Sequence, residues 1–122
     1  MNMMTSIRQV GSVTIVDING RIVLGEESAS VRDIISDLLT KGHKQILLNL
    51  AAVDYIDSMG LGSLVGAFAT VRKQGGELKL LNLSNKVTDV MQITRLYIVF
   101  DVMIDEVTGV ESFAPSASAA KG

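Results

Sequence analysis

The stretch that decides the fold runs from Leu47 to Phe68, LLNLAAVDYIDSMGLGSLVGAF. It sits on a short apolar run at residues 45–50, QILLNL, with the length and aliphatic content of a strand buried on both faces of a sheet. After a loop, Leu61, Leu64, Val65 and Phe68 recur at helical spacing, and Gly75-Gly76 ends that pattern. Residues 78–83, LKLLNL, supply the next strand. Strand, helix and strand in this order imply parallel neighbours joined by a right-handed crossover.

Working outward, the same alternation continues downstream. Val87, Val90, Met91 and Thr94 mark a third helix, with Ser84 or Asn85 placed to cap it. Residues 98–102 read as a last strand, and Val107, Val110 and Phe113 as a short final helix. Upstream, Val31, Ile34, Ile35, Leu38 and Leu39 form one apolar stripe. Glu26 and Glu27 lie near its start and Lys41 near its end, as the helix dipole favours, and Gly42 is a stop signal. Before it, the β-branched runs at residues 7–10 and 13–18 flank Gly11-Ser12, a two-residue hairpin turn. Asn19-Gly20 then suggests a second turn into a third strand at residues 21–24.

The expected order is β-β-α-β-α-β-α-β-α. The fold class is α/β: a four- to five-stranded, mostly parallel sheet with an antiparallel N-terminal edge, covered by four helices. Residues 1–113 form one domain. The tail at residues 114–122, APSASAAKG, has the only proline and nothing to bury, and is expected to be disordered.

With 48% hydrophobic but only 4% aromatic residues, the core must be built from Val, Ile and Leu. A net charge of −2 with scattered Lys and Arg gives no basic stripe, so nucleic acid is not an expected partner. The absence of cysteine excludes disulfides and thiolate metal sites, and it fits a reducing compartment. No signal-peptide pattern opens the chain, and no apolar run approaches the ~20 residues that span a bilayer. The expectation is a cytoplasmic protein without membrane insertion. His43 stands alone in a turn, and no cofactor is implied.

Candidate function concentrates between Asp54 and Gly66. Gly60, Gly62 and Gly66 fall in or at the start of a helix, where each interior glycine costs about 0.5–1 kcal/mol relative to alanine. Close approach of another backbone is the usual reason, and it is expected at Gly62 or Gly66. Asp57-Ser58 precedes them, with Ser58 as a good N-cap, at the end of a sheet where α/β proteins meet their ligands. Four readings compete. Ser58 is only a cap; or Gly60 and Gly62 begin a dinucleotide loop, although Val65 stands where the third glycine belongs. A nucleophile elbow has Ile56 in place of its first glycine and no suitable histidine. The last reading is a regulatory phosphorylation site on an interaction surface.

The chain resembles STAS domains, the fold shared by anti-sigma-factor antagonists and the cytoplasmic domains of sulfate transporters. The resemblance rests on an aliphatic strand, a loop and then Asp57-Ser58-Met59-Gly60-Leu61-Gly62 before a glycine-rich helix. LKLLNLSNKVTDVMQITRLYIVF, from Leu78 to Phe100, is similar to the family's third β-α-β stretch. The likeness spans roughly residues 6–113. It implies that Ser58 is phosphorylated by an anti-sigma factor with serine kinase activity. The unphosphorylated form binds that factor and frees a sigma factor, phosphorylation ends the binding, and a phosphatase restores it. Asp54, Asp57, Ser58, Met59, Gly60, Leu61 and Gly62 become the expected contact segment of a protein that is not itself an enzyme. Two residues depart from the pattern: Met59 replaces the usual small residue, and Arg95 stands where many relatives have glycine after the third helix. The resemblance also admits an accessory subunit of a lipid transporter or a stress-signalling scaffold, with no phosphate cycle.

Overall fold

The computed structural model describes residues 3–23 and 26–113. Five strands follow one another across a single sheet in chain order: β1 (Met3–Val10), β2 (Val13–Ile22), β3 (Gln45–Ile56), β4 (Glu77–Leu81) and β5 (Val102–Met103). β1 and β2 form an antiparallel hairpin paired from Val10↔Val13 to Met3↔Gly20, and every later pairing is parallel. The two-residue turn needs a left-handed backbone at its first position, and Gly11 supplies it at φ 60°. Four helices connect or follow the strands: α1 (Glu26–Thr40), α2 (Ser58–Lys73), α3 (Asn85–Thr94) and α4 (Glu106–Glu111).

The period of two along each strand divides the core. Val16, Ile18, Ile46, Leu48, Leu50, Leu78 and Leu80 turn to one face. There they pack against Val31, Ile35, Leu38 and Leu39 of α1, Leu61, Leu64 and Val71 of α2, and Val87 and Met91 of α3. Val13, Ile15, Leu47 and Leu81 turn to the other face and meet Phe113, just beyond α4. Both faces of residues 46–48 are thus covered, which is why that run carries no polar alternation.

α4 is fastened at both ends. Arg8 on β1 donates to Asp17 on β2 (2.6 and 3.0 Å) and to Glu106 at the start of α4 (2.8 and 3.0 Å). Asn49 Nδ2 donates to the same Asp17 carboxylate at 2.8 Å. The Arg8 guanidinium holds the carboxyls of Asp17 and Glu106 below their ordinary range. At the far end, Lys79 is 8% exposed, and its Nζ donates to the carbonyl (2.9 Å) and hydroxyl (3.1 Å) of Ser112. The same ammonium lies 4.9 Å from the centre of the Phe113 ring.

Three sequence expectations are corrected. Residues 21–24 are no separate strand: β2 continues to Ile22, absorbing Asn19-Gly20 as register shifts against β3, while Leu24 lies outside the described residues. The supposed loop after Leu50 is strand as far as Ile56. The run at 98–102 is mostly not strand; a 3-10 turn at Leu96–Ile98 precedes a β5 of two residues. The third helix ends as Arg95 takes the left-handed conformation, φ 63°, that favours glycine. The tail at residues 114–122 lies outside the described residues.

Candidate functional site

β3 is longer than its neighbour. It pairs with β4 only from Gln45↔Glu77 to Asn49↔Leu81, while its pairing with β2 runs on to Ile22↔Ile56. The second half of β3 therefore projects past β4 at the carboxyl end of the sheet and carries Asp54 and Tyr55 into solvent. The chain turns into α2 at its tip.

That turn is capped by Asp57, not by Ser58. Asp57 keeps an extended backbone (φ −97°, ψ 178°), and its Oδ1 accepts the Gly60 amide at 2.7 Å. Its own N–H donates to the Ile22 carbonyl at 3.2 Å, tying the start of α2 to the end of β2. Ser58 becomes the first residue of α2 and is exposed, and Met59 beside it is 58% exposed. The first turn of α2 contains no acidic residue, and the Asp57 cap supplies the negative charge next to the helix N-terminus.

The glycines separate into two kinds. Gly60 is buried, and a Cβ there would collide with the backbone carbonyl of Ile22. Gly62 and Gly66 have nothing within 4 Å of a Cβ, so the expected close approach falls at neither. Leu61 is 3% exposed and faces the core. Of the segment expected to contact a partner, the structure thus presents Asp54, Ser58, Met59 and Gly62 on the surface and places Gly60 and Leu61 inside.

Sequence reasoning missed the residues that flank this tip. The Arg21 guanidinium stacks 5.1 Å from the Tyr55 ring centre. Both line a depression of about 400 Å³ with Asp54 and with Ser84, Asn85 and Lys86 at the start of α3. Arg21 is hard to find from sequence because its strand looked like a new hairpin arm. Tyr55 carried a weak signal, an aromatic two residues before the motif. Among the described residues no group of three or more His, Cys, Asp or Glu is arranged to hold a metal ion. Likewise, no helix there is long and apolar enough to cross a membrane.

The chain belongs to the STAS family, whose family model matches residues 4–108. Among its relatives is the anti-sigma-B factor antagonist of Bacillus subtilis (strain 168), 34% identical over 111 residues, 91% of this chain and 100% of that one. The chain therefore stands with the anti-sigma-factor antagonists. A solved structure from Thermotoga maritima, a candidate anti-sigma factor antagonist, superposes with a TM-score of 0.81 at 26% identity, covering 88% of this chain and 92% of that one. The Bacillus cell fate determinant SpoIIAA in its phosphorylated form superposes at 0.69 with 20% identity, covering 88% and 97%, a likeness of fold alone.

Proposed function

We propose that this protein is a partner-switching regulator. Its unphosphorylated form binds an anti-sigma factor with serine kinase activity and so releases a sigma factor. Phosphoryl transfer to Ser58 ends the complex, and a phosphatase restores the hydroxyl. The protein is the kinase's substrate and carries out no chemistry of its own. It works in the compartment where transcription occurs.

One observation carries the reading: Ser58 is exposed at the first position of α2, directly after a strand whose end projects past β4. A kinase needs an accessible hydroxyl on a rigid mount, and Asp57 and Gly60 provide that mount without using the hydroxyl as a cap. Met59 beside it in the chain, and Asp54 with the Arg21–Tyr55 stack near the end of β3, offer a partner apolar, anionic and cationic groups. Phosphorylation adds a charge of about −1.5 to −2 at that exposed position.

The test is direct. The purified chain is incubated with a cognate anti-sigma kinase and ATP, and its intact mass is followed with and without phosphatase. A single phosphate mapping to Ser58, removed by phosphatase, supports the proposal. No phosphate, or a phosphate elsewhere, overturns it.

A further inference from the structure

β1 forms one edge of the sheet, and among the described residues no strand pairs with its outer side. Proteins usually blunt such an edge with charge, proline or a bulge, because its unpaired N–H and C=O groups are a template for another strand. β1 has none of these protections. Its register with β2 is unbroken from Met3 to Val10, it has no proline, and its one charged residue is Arg8. That guanidinium is drawn across the sheet face by Asp17 and Glu106 and does not guard the edge. Met4 (67%), Ile7 (50%) and Val10 (36%) remain exposed.

The hairpin fixes which backbone groups are available. A two-residue loop closes on a hydrogen-bonded pair, here Val10 and Val13, and hydrogen-bonded pairs alternate along an antiparallel ladder. Thr5, Ile7 and Gln9 therefore turn their N–H and C=O groups outward.

We propose that this edge binds a second copy of the chain, β1 against β1, antiparallel about a two-fold axis at Ile7. What selects a second copy is the palindromic character of the strand. In that register Ile7 lies opposite Ile7 of the second copy, and Met4 lies opposite Val10, so all three exposed apolar side chains meet apolar partners. Thr5 lies opposite Gln9, whose amide is already held by Thr14 (2.7 Å) and His43 (3.0 Å). Ser6 lies opposite Arg8, so the two guanidinium groups never face each other. The three outward residues form the hydrogen-bonded pairs of the new ladder, and the two sheets become one of ten strands. Such an interface is isologous and closes on itself. It also leaves the Ser58 tip, at the carboxyl end of the parallel strands, outside the contact.

The test is sedimentation of the full chain up to about 1 mM, since a single strand pair belongs to the small, weak class of interfaces. Wild type is expected to dimerise reversibly. Ile7→Pro removes an outward N–H without touching the β1–β2 ladder, and Ile7→Lys sets like charges opposite each other; both are expected to remain monomeric with unchanged circular dichroism. The chain has no cysteine, so Ile7→Cys provides an independent readout. Opposed Cα atoms in a hydrogen-bonded pair lie about 5.5 Å apart, within disulfide reach, so mild oxidation should yield a covalent dimer. Ser6→Cys, two residues out of register with itself, should not. A wild type that stays monomeric, or a dimer that survives both Ile7→Pro and Ile7→Lys through another surface or partner strand, overturns the proposal.

Discussion

The carbonyl oxygen of Ile22 occupies the space in which a Cβ on Gly60 would have to sit. The same oxygen accepts the Asp57 N–H, so the end of β2 and the first turn of α2 are locked at one atom. Gly60→Ala must push that carbonyl away and strain the Asp57 contact. Overpacking of this kind costs about 1–3 kcal/mol. Gly62→Ala and Gly66→Ala meet only open space and should each stabilise the helix by roughly 0.5–1 kcal/mol. Urea unfolding of the three variants checks both signs, and a Gly60→Ala protein as stable as wild type would refute the lock.

Acid should loosen α4 through Arg8. Asp17 and Glu106 both titrate below their ordinary range because Arg8 hydrogen-bonds to their charged forms. A carboxyl whose folded value is depressed contributes stability that is complete above its unfolded value, about 4, and is lost as pH falls through the folded value. Wild type should therefore lose stability below about pH 4 more steeply than Arg8→Met. At neutral pH the variant should be less stable by roughly 1 kcal/mol or less, because these side chains are substantially exposed and screened. Thermal midpoints from pH 3 to 7 decide it; parallel pH profiles would show that the clasp carries no linkage.

Much of this architecture could be read from hydrophobic period alone. The stripe from Val31 to Leu39, the aliphatic residues of the run at 45–50 and the Val87–Met91 spacing all meet the core as expected. The failures have physical causes. Ala51, Ala52, Asp54 and Tyr55 look like loop because β3 there pairs on one side only and buries little, yet its ladder with β2 holds it extended. Ile98 and Val99 look like strand by propensity, but tertiary context leaves them exposed at 72% and 37% at the end of a 3-10 turn. Asp57 and Ser58 are equally good caps by type. Which one caps depends on where β3 stops, a property of the β2 register that composition does not reveal.

Lys79 should prove structural despite its charge. It is nearly buried, and its Nζ donates to the carbonyl and hydroxyl of Ser112, just past the end of α4, while lying against Phe113. The 3.9 Å separation from the exposed Asp101 carboxylate adds little to this. Lys79→Met keeps the aliphatic stem but leaves the Ser112 groups without their donor, a loss of about 1–3 kcal/mol. Faster amide exchange confined to residues 106–113 is the expected signature. Exchange unchanged in α4 would show that the helix is held by its apolar contacts alone.

The Ser58 variants separate an effect on fold from an effect on surface. A negative group at the first position of α2 meets the helix dipole, which favours it by about 0.3–1 kcal/mol. The neighbouring Asp57 carboxylate opposes it through solvent, and that carboxylate is already engaged by the Gly60 amide. The two terms are of similar size, so Ser58→Asp should fold with wild-type circular dichroism and a thermal midpoint within a few degrees. At an interface the balance differs, because a charge facing a surface shaped for a hydroxyl must be desolvated without a partner, at several kcal/mol. A few kcal/mol is a loss of about 100-fold in affinity. Calorimetric titration against a cognate anti-sigma factor should therefore show Ser58→Ala binding as tightly as unphosphorylated wild type. Phosphorylated wild type should bind at least ~100-fold more weakly, with Ser58→Asp between them because aspartate carries less charge. Equal affinity for the two wild-type forms would refute the switch. Unfolding of Ser58→Asp would show instead that the charge acts on the fold.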